Sequence, residues 1–283
     1  MNKSKSIIAG IILYNPNIER LQKNIGSIIN DVDSILFIDN ASINIVDIKN
    51  LTRAHSINLI SNNQNEGLPR VFNAMIKYAN ENKYENLLLL DQDSICESNL
   101  IRAYKKYISK DYVCLTPKVV HRLKEYENKY GTKTSSAETE VVSDSINSGT
   151  LINLSILPHD IRFNEKLFVD CVDFDFFIQL KRRNLQVLRI NQARLFCDLG
   201  NLKVHHFLRK SFFTNNYSTF RLEKQARDRV VFIFTHITHS LAKEVLCHSI
   251  LGYLMIILFE KQKISKLFAV SKGFVKGLIA LFH

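Results

Sequence analysis

The chain opens on a strand-length apolar run, Ile7 to Leu13, closed by Tyr14-Asn15-Pro16. Ile18, Leu21, Ile25, Ile28 and Ile29 follow at three- and four-residue steps, the spacing of one helix face. Ser34 to Ile38 reads as a second strand ending in Asp39-Asn40-Ala41-Ser42, and Ile57 to Ile60 as a short third one ending in Ser61-Asn62-Asn63. Gly67 to Asn80 has a helical pattern with Pro69 near its first turn, where a missing N–H costs little. Four leucines, Leu87 to Leu90, then run unbroken into Asp91-Gln92-Asp93-Ser94. A run without alternation suits a strand buried on both faces, as in a parallel sheet covered by helices. The β-α-β-α-β order predicts an α/β fold with a mostly parallel central sheet and right-handed crossovers.

Further along, Asn99 to Ile108 reads as a helix and Tyr112 to Thr116 as a strand. Lys124 to Glu140 is polar and reads as a mobile excursion, after which Asn147 to Asn153 resumes the core. Val172 to Arg183 predicts a helix carrying Phe176, Phe177 and Leu180. This organisation predicts one large domain to about residue 205, then a helical, basic C-terminal region over 206–283.

Charge changes the picture of that last region. The net charge is +11, and from Asn201 onward thirteen Lys/Arg stand against Glu223, Asp228, Glu244 and Glu260, thirteen minus four giving +9. A basic face implies an anionic partner: nucleic acid, a phosphate-bearing substrate or a membrane surface. No nucleic-acid motif accompanies it, and there is no tryptophan to stack bases. Val245 to Phe259 is apolar but interrupted by His248, short of the roughly 20 residues that span a bilayer. Leu267, Val270, Phe274, Leu278 and Leu281 recur at helical steps, with Lys272 and Lys276 elsewhere on the wheel. A helix over 267–282 with that pattern suits the headgroup region of an anionic leaflet, and suits equally a terminal helix packed on its own domain.

The five cysteines, Cys96, Cys114, Cys171, Cys197 and Cys247, are odd in number, scattered and lack a C-x-x-C pair. They fit reduced, buried thiols of a cytosolic protein better than a disulfide framework or a zinc site. The apolar run at Ile7 has no small-residue cleavage site after it, so it reads as a first strand and not as a signal peptide.

Candidate chemistry clusters at the strand ends, where open α/β sheets bind ligands. Asp91 and Asp93 are two apart, so in an extended chain they share a side, where two carboxylates can hold a hard divalent cation and that cation a diphosphate. A polar turn after a core strand fits the same residues. Asp39 can bond a nucleobase edge or a ribose hydroxyl, or start a turn with Asn40. Asn65-Glu66-Gly67 precedes a helix whose N-terminal N–H groups suit an anion, and Arg70 and Asn73 lie on that helix.

In order and spacing, Ile12-Leu13-Tyr14-Asn15, Ile38-Asp39-Asn40-Ala41-Ser42, Asn65-x-Gly67 with Asn73, and Leu90-Asp91-Gln92-Asp93-Ser94 resemble a family 2 glycosyltransferase of the GT-A type. Asp-Gln-Asp-Ser is similar to the bacterial rhamnosyltransferase branch. The resemblance continues through Ser148-Gly149-Thr150-Leu151, Leu167 to Phe176, the pair Arg182-Arg183, and Phe220-Arg221 with Gln225 to Asp228, covering roughly residues 7 to 235. It implies a GT-A catalytic domain over 1–205, with a nucleotide-sugar part to about 116 and an acceptor part over 117–205. It implies donor contacts from Asn15, Asp39 (to the base), Asn65, Gly67, Arg70, Asn73, Asp91 (near the ribose), Arg221 and Arg227. Arg221 and Arg227 are six apart on the expected helix, so at most one reaches the diphosphate directly.

The resemblance further implies that Asp93 ligates Mg²⁺ or Mn²⁺ and that Asp173 is the general base, with Asp170, one turn away, as the runner-up. Asp170, Asp173 and Asp175 also fit an acidic first turn favouring its own helix dipole. The branch commonly carries His-x-x-Gly after the acceptor motif; here Asp198-Leu199-Gly200 stands there, leaving Asp198, His205 or His206 as candidate metal ligands.

The implied activity is inverting transfer of a sugar, rhamnose from dTDP-rhamnose first, to a lipid-linked or growing saccharide of a cell-surface polysaccharide. The implied place is the cytoplasmic face of the plasma membrane. A UDP-hexose donor and a non-catalytic nucleotide-sugar-binding subunit are the alternatives, and no nucleic-acid partner is expected.

Overall fold

A computed structural model describes residues 6–109, 111–121, 123–131, 137–197, 202–207 and 210–282. The chain forms two compact units, Met1–Phe163 with Phe176–Asp198, and Asn164–Asp175 with Leu199–His283.

The first unit begins β1 (Ile7–Leu13), α1 (Ile18–Gly26), β2 (Ser34–Asp39), α2 (Ile45–His55), β3 (Asn58–Ser61), α3 (Leu68–Glu81) and β4 (Asn86–Asp91). All seven residues of β1 are buried, as are Leu87 to Leu90, which matches a strand covered on both faces. α2 has no strong sequence stripe, since only Ile48, Leu51 and Thr52 are buried in it. The unit continues with β5 (Ile95–Cys96), α4 (Leu100–Tyr107), β6 (Tyr112–His121), α5 (Lys124–Tyr130), β7 (Thr139–Val142), β8 (Leu151–Asn153), α6 (Val172–Arg182, which starts in the second unit) and β9 (Gln186–Cys197).

These strands form a nine-stranded sheet in the order β3-β2-β1-β4-β8-β6-β9-β5, with β7 paired to β9. The first four are parallel, as the alternation predicts. β8 runs antiparallel to both β4 and β6, so the sheet is mixed beyond the leucine strand. The register sets Leu13 opposite Asp39 and Ile12 opposite Asp91, bringing the carboxyl ends of β1, β2 and β4 to one level.

Within Lys124 to Glu140, the described residues carry regular structure: α5 is a helix, and Thr139 and Glu140 pair with β9. Of the five cysteines, Cys96, Cys114 and Cys171 are buried, Cys197 is half-buried and Cys247 is exposed.

The second unit holds the hairpin β10 (Lys203–Phe207) and β11 (Lys210–Thr214), then α7 (Thr219–Thr235), α8 (Ser240–Phe259) and α9 (Lys263–Leu281). α8 is a continuous 20-residue helix, longer than its apolar run, because His239 caps its N-terminus by accepting the Leu241 N–H. α9 does not bury its leucine stripe: Lys266, Ala269, Gly273 and Gly277 are its buried face, and Phe274 is exposed. Glycine is required on that face, since a Cβ on Gly273 would lie 2.2 Å from the Glu223 carbonyl oxygen and one on Gly277 2.6 Å from the Val230 Cβ.

Candidate active site

The Asp91-x-Asp93 motif is a turn and not an extended pair. Asp91 ends β4, and the Ser94 N–H returns to the Asp91 carbonyl at 3.3 Å. Three side chains hold this turn from α1 and the loop before β8, and Gln92 of the turn itself reaches the backbone just after β1. Asn24 Nδ2 donates to the Asp91 carbonyl at 2.8 Å, and Arg20 Nε to the Asp93 carbonyl at 2.7 Å. Ser148 Oγ accepts the Asp91 N–H at 3.0 Å and lies 2.8 Å from Ser94 Oγ. Gln92 exchanges hydrogen bonds with both the N–H and the carbonyl of Tyr14. With its backbone fixed on every side, the turn leaves both carboxylates half-buried at the mouth of the sheet. They share a neighbourhood: burial, then the charges of Asp91 and Asp93 against a bond from Ser94, pushes the Cys197 thiol up to about 12.

Beside this turn lies a polar knot at the ends of β1, β2 and β3. Asp39 is 1% exposed, and its two oxygens lie 3.3 and 3.2 Å from the Ser42 N–H, the turn interaction its sequence allowed. Asn15 takes a left-handed backbone (φ 50°), gives its N–H to Ser42 Oγ at 2.8 Å and accepts the Ile43 N–H at 2.9 Å. Asn40 is the centre. Its amide donates to Asn65 Oδ1 at 2.8 Å, and its oxygen accepts from the Glu66 N–H and from Asn62 Nδ2. Asn65 in turn accepts the N–H of Gly67, whose φ of 82° opens α3 in a conformation that favours glycine. Asn65 therefore shapes the loop.

Two expected donor residues on α3 have other partners. Arg70 Nη1 bonds Glu66 at 2.8 Å one turn back. Asn73 exchanges hydrogen bonds with both backbone groups of Phe163, at 2.9 and 3.0 Å, and borders a cavity of about 410 Å³ with Ile76, Lys77, Leu157 and His159.

The acidic run of the second unit resolves residue by residue. Asp170 Oδ2 accepts from Arg229 Nε at 2.6 Å. Asp175 is buried with His236 Nε2 2.8 Å away and accepts from Asn164. Asp173 Oδ1 accepts the N–H of Phe174 at 3.0 Å, and the residue is half-buried. The stretch ahead of them is gathered by Asp228, whose Oδ2 accepts the N–H groups of Phe168, Val169 and Asp170 at 2.7 to 3.0 Å. Burial pushes the Asp228 carboxyl up, against those N–H groups and Arg227. Arg227 bonds Asp228 Oδ1 at 2.8 Å, while the Arg221 guanidinium stacks 4.4 Å from the Tyr217 ring centre.

His205 Nε2 lies 2.9 Å from Thr214 Oγ1 and its ring stacks on Phe259; His206 is exposed, with Nδ1 3.3 Å from Ser211 Oγ. Asp198 lies outside the described residues. Among the described residues, no three His, Cys, Asp or Glu side chains form a group able to hold a metal ion alone. The donor set still fits a hard cation carried in part by substrate, because Mg²⁺ takes one or two carboxylates and completes its shell with phosphate and water.

The sequence pattern left Asn24 and Arg20 unmarked, gave Asn40 only a turn, and carried Asp228 in a motif without a role. Asn24 carried a signal, being a polar residue inside the apolar stripe of α1 between Leu21 and Ile25. The sequence profile of the family described as "Glycosyl transferase family 2" matches residues 9–187, most of the chain. The chain belongs to glycosyl transferase family 2. Like other members of the family it is a glycosyltransferase, and its fold is of the GT-A type.

Among curated family relatives, the chain is 24% identical to "dTDP-rhamnosyl transferase RfbF" of Shigella flexneri, over 71% of this chain and 72% of that one. Its fold is similar to a crystal structure of GalNAc-T7 with UDP, GalNAc and Mn²⁺ (14% identity, TM-score 0.55), over 72% of this chain and 44% of that one. S. aureus TarS 1-349 in complex with UDP-GlcNAc is also similar in fold (14% identity, TM-score 0.52, 95% and 71% of the two chains). This glycosyltransferase thus spans less than half the length of the GalNAc-T7 chain it matches.

Proposed function

We propose that this glycosyltransferase is an inverting, metal-dependent enzyme that moves rhamnose from dTDP-rhamnose to a lipid-linked or growing saccharide of a cell-surface polysaccharide. It would act in the cytoplasm, at the inner face of the plasma membrane. The observation that carries the chemistry is the clamped Asp91-x-Asp93 turn at the carboxyl end of β4. The choice of donor is supported by the likeness to the Shigella flexneri rhamnosyl transferase.

In this reading Asp93 holds Mg²⁺ or Mn²⁺, which, when bound, stabilises the charge of the departing diphosphate. Asp91 meets the ribose, and Asp39 with Asn15 borders the base through the turn they share at Ser42 and Ile43. Asn65 and Gly67 present the start of α3, and Arg70 with Asn73 extends that edge. Asp173 takes the proton of the acceptor hydroxyl as its oxygen bonds the anomeric carbon and the nucleoside diphosphate departs. A base on the face opposite the leaving group gives inversion. Asp170 is the weaker choice of base because Arg229 holds its carboxylate. Arg221 or Arg227 serves the phosphates, and Asp198, His205 or His206 would complete the metal shell.

The test is nucleoside diphosphate release from a panel of nucleotide-sugars with Mn²⁺. Release from dTDP-rhamnose above all others supports the reading, and release from a UDP-hexose instead replaces the donor. Donor binding without turnover for any acceptor points to a non-catalytic subunit. Asp93→Ala and chelation with EDTA should each abolish release; full activity in either removes the metal role. Asp173→Asn should bind donor and lose transfer, whereas unchanged turnover removes it as base.

A further inference from the structure

The second unit carries an apolar surface left open among the described residues. α8 buries a narrow seam of Ala242, Val245, Ser249 and Ile256. Leu246, Ile250, Leu251, Leu254, Ile257 and Leu258 on the same helix are 43 to 60% exposed. α9 extends the surface at Ile264 and Phe268, 86% and 71% exposed. A contiguous patch of this kind marks an interaction surface.

The charge around it selects the partner. Of the four acidic residues from Asn201 onward, three are held inside the unit: Glu223 by Lys272 and Lys276, Glu260 by Lys266 at 2.5 Å, and Asp228 by Arg227. Glu244 is the exposed one, while Lys243, Lys261 and Lys263 are exposed at the two ends of α8. An apolar helix face bracketed by cations, with three of the unit's four acids turned inward, complements an anionic lipid surface.

By length and composition α8 could cross a bilayer. Its middle decides against crossing. Arg229 Nη1 donates to Ser249 Oγ at 3.2 Å while Arg229 Nε holds Asp170, so a spanning α8 would carry this ion pair to the hydrocarbon centre, where charge is most costly. At the end of α8, Glu260 Oε1 accepts the N–H of Asn216, just ahead of α7, so α8 runs back along α7.

We infer that α8, with the first turns of α9, lies in the headgroup region of an anionic leaflet, its Leu246 to Leu258 face toward the acyl chains. This deepens the membrane-side reading proposed above and rests on it, and it moves the contact from the α9 stripe to α8.

Full-length protein is sedimented with phosphatidylcholine vesicles and with mixed phosphatidylcholine/phosphatidylglycerol vesicles. It should pellet with the mixed vesicles, and Leu251→Glu with Leu258→Glu should weaken this by roughly tenfold or more. Because the chain has no tryptophan, Leu254→Trp supplies a single reporter. Its emission should shift to the blue on mixed vesicles and be quenched more by lipids brominated near the headgroup than by lipids brominated near the chain end. Stronger quenching at the chain end overturns the surface placement.

Absence of vesicle binding, or a dimer in light scattering that the paired glutamates dissociate, overturns the inference. Nucleotide release by the soluble paired-glutamate variant separates the readings. If release persists while the wild type ignores vesicles, the inference alone fails. If the wild type binds vesicles and turns over no donor, the proposed function alone fails.

Discussion

At the scale of single residues, the site depends on side chains that hold backbone. Ser148 is buried, and its hydroxyl serves both the Asp91 N–H and Ser94. Ser148→Ala leaves those groups without that partner, so it should lower stability by about 1–3 kcal/mol in urea unfolding. The same change should reduce kcat for nucleotide release, as the turn loses one anchor. The carboxylates of this turn were legible in the sequence because a D-x-D after a long apolar run is a local pattern. Their anchors were not: Asn24 is 67 residues from Asp91 and Gln92 is 78 from Tyr14, pairings that exist only once the parallel sheet has formed. For the same reason the extended reading of Asp91 and Asp93 gave way to a turn closed by Ser94.

At the scale of elements, the α7–α9 pair is set by small residues and one acid. Gly277→Leu would drive a side chain into Val230 and the Arg227 carbonyl, so a loss of about 1–3 kcal/mol in urea unfolding is expected. Burial pushes the Glu223 carboxyl up, but Lys276 and Lys272 outweigh it and hold the pKa below its ordinary 4.5. A carboxyl lowered in the folded state stabilises above its ordinary pKa and loses that contribution as the pH falls through the folded value. Protection factors of α9 amides, exchange rates corrected for the intrinsic pH dependence, should therefore fall on acidification below about pH 4.5, and Glu223→Gln should remove the dependence. The alternation of β1 through β4 was readable because each element has its own periodicity. β9 and α2 were not: β9 mixes buried and exposed residues along twelve positions, and α2 buries only three.

At the scale of the whole molecule, two compact units, one proposed to bind donor and one to meet lipid, predict two responses. Under the proposed function, nucleoside diphosphate with Mn²⁺ binds the folded state of the unit that carries the Asp91-x-Asp93 turn. At a concentration about 100 times its Kd it should add about 2.7 kcal/mol, seen as a rise in melting temperature in calorimetry. Lowering salt should strengthen vesicle binding without moving that transition, since surface charge is screened within about 10 Å at 0.1 M. The charge imbalance behind the second effect was plain in composition; which acids were neutralised internally was not, because the pairs join Glu223 to α9 and Glu260 to Lys266. The cysteines add a practical consequence. Burial raises the thiols of Cys96, Cys114, Cys171 and Cys197, which keeps them protonated and slow to alkylate, while Cys247 stands exposed on α8. Native protein treated briefly with a maleimide spin label or fluorophore should take up one equivalent, so the wild-type chain comes with its own attachment point for watching that helix.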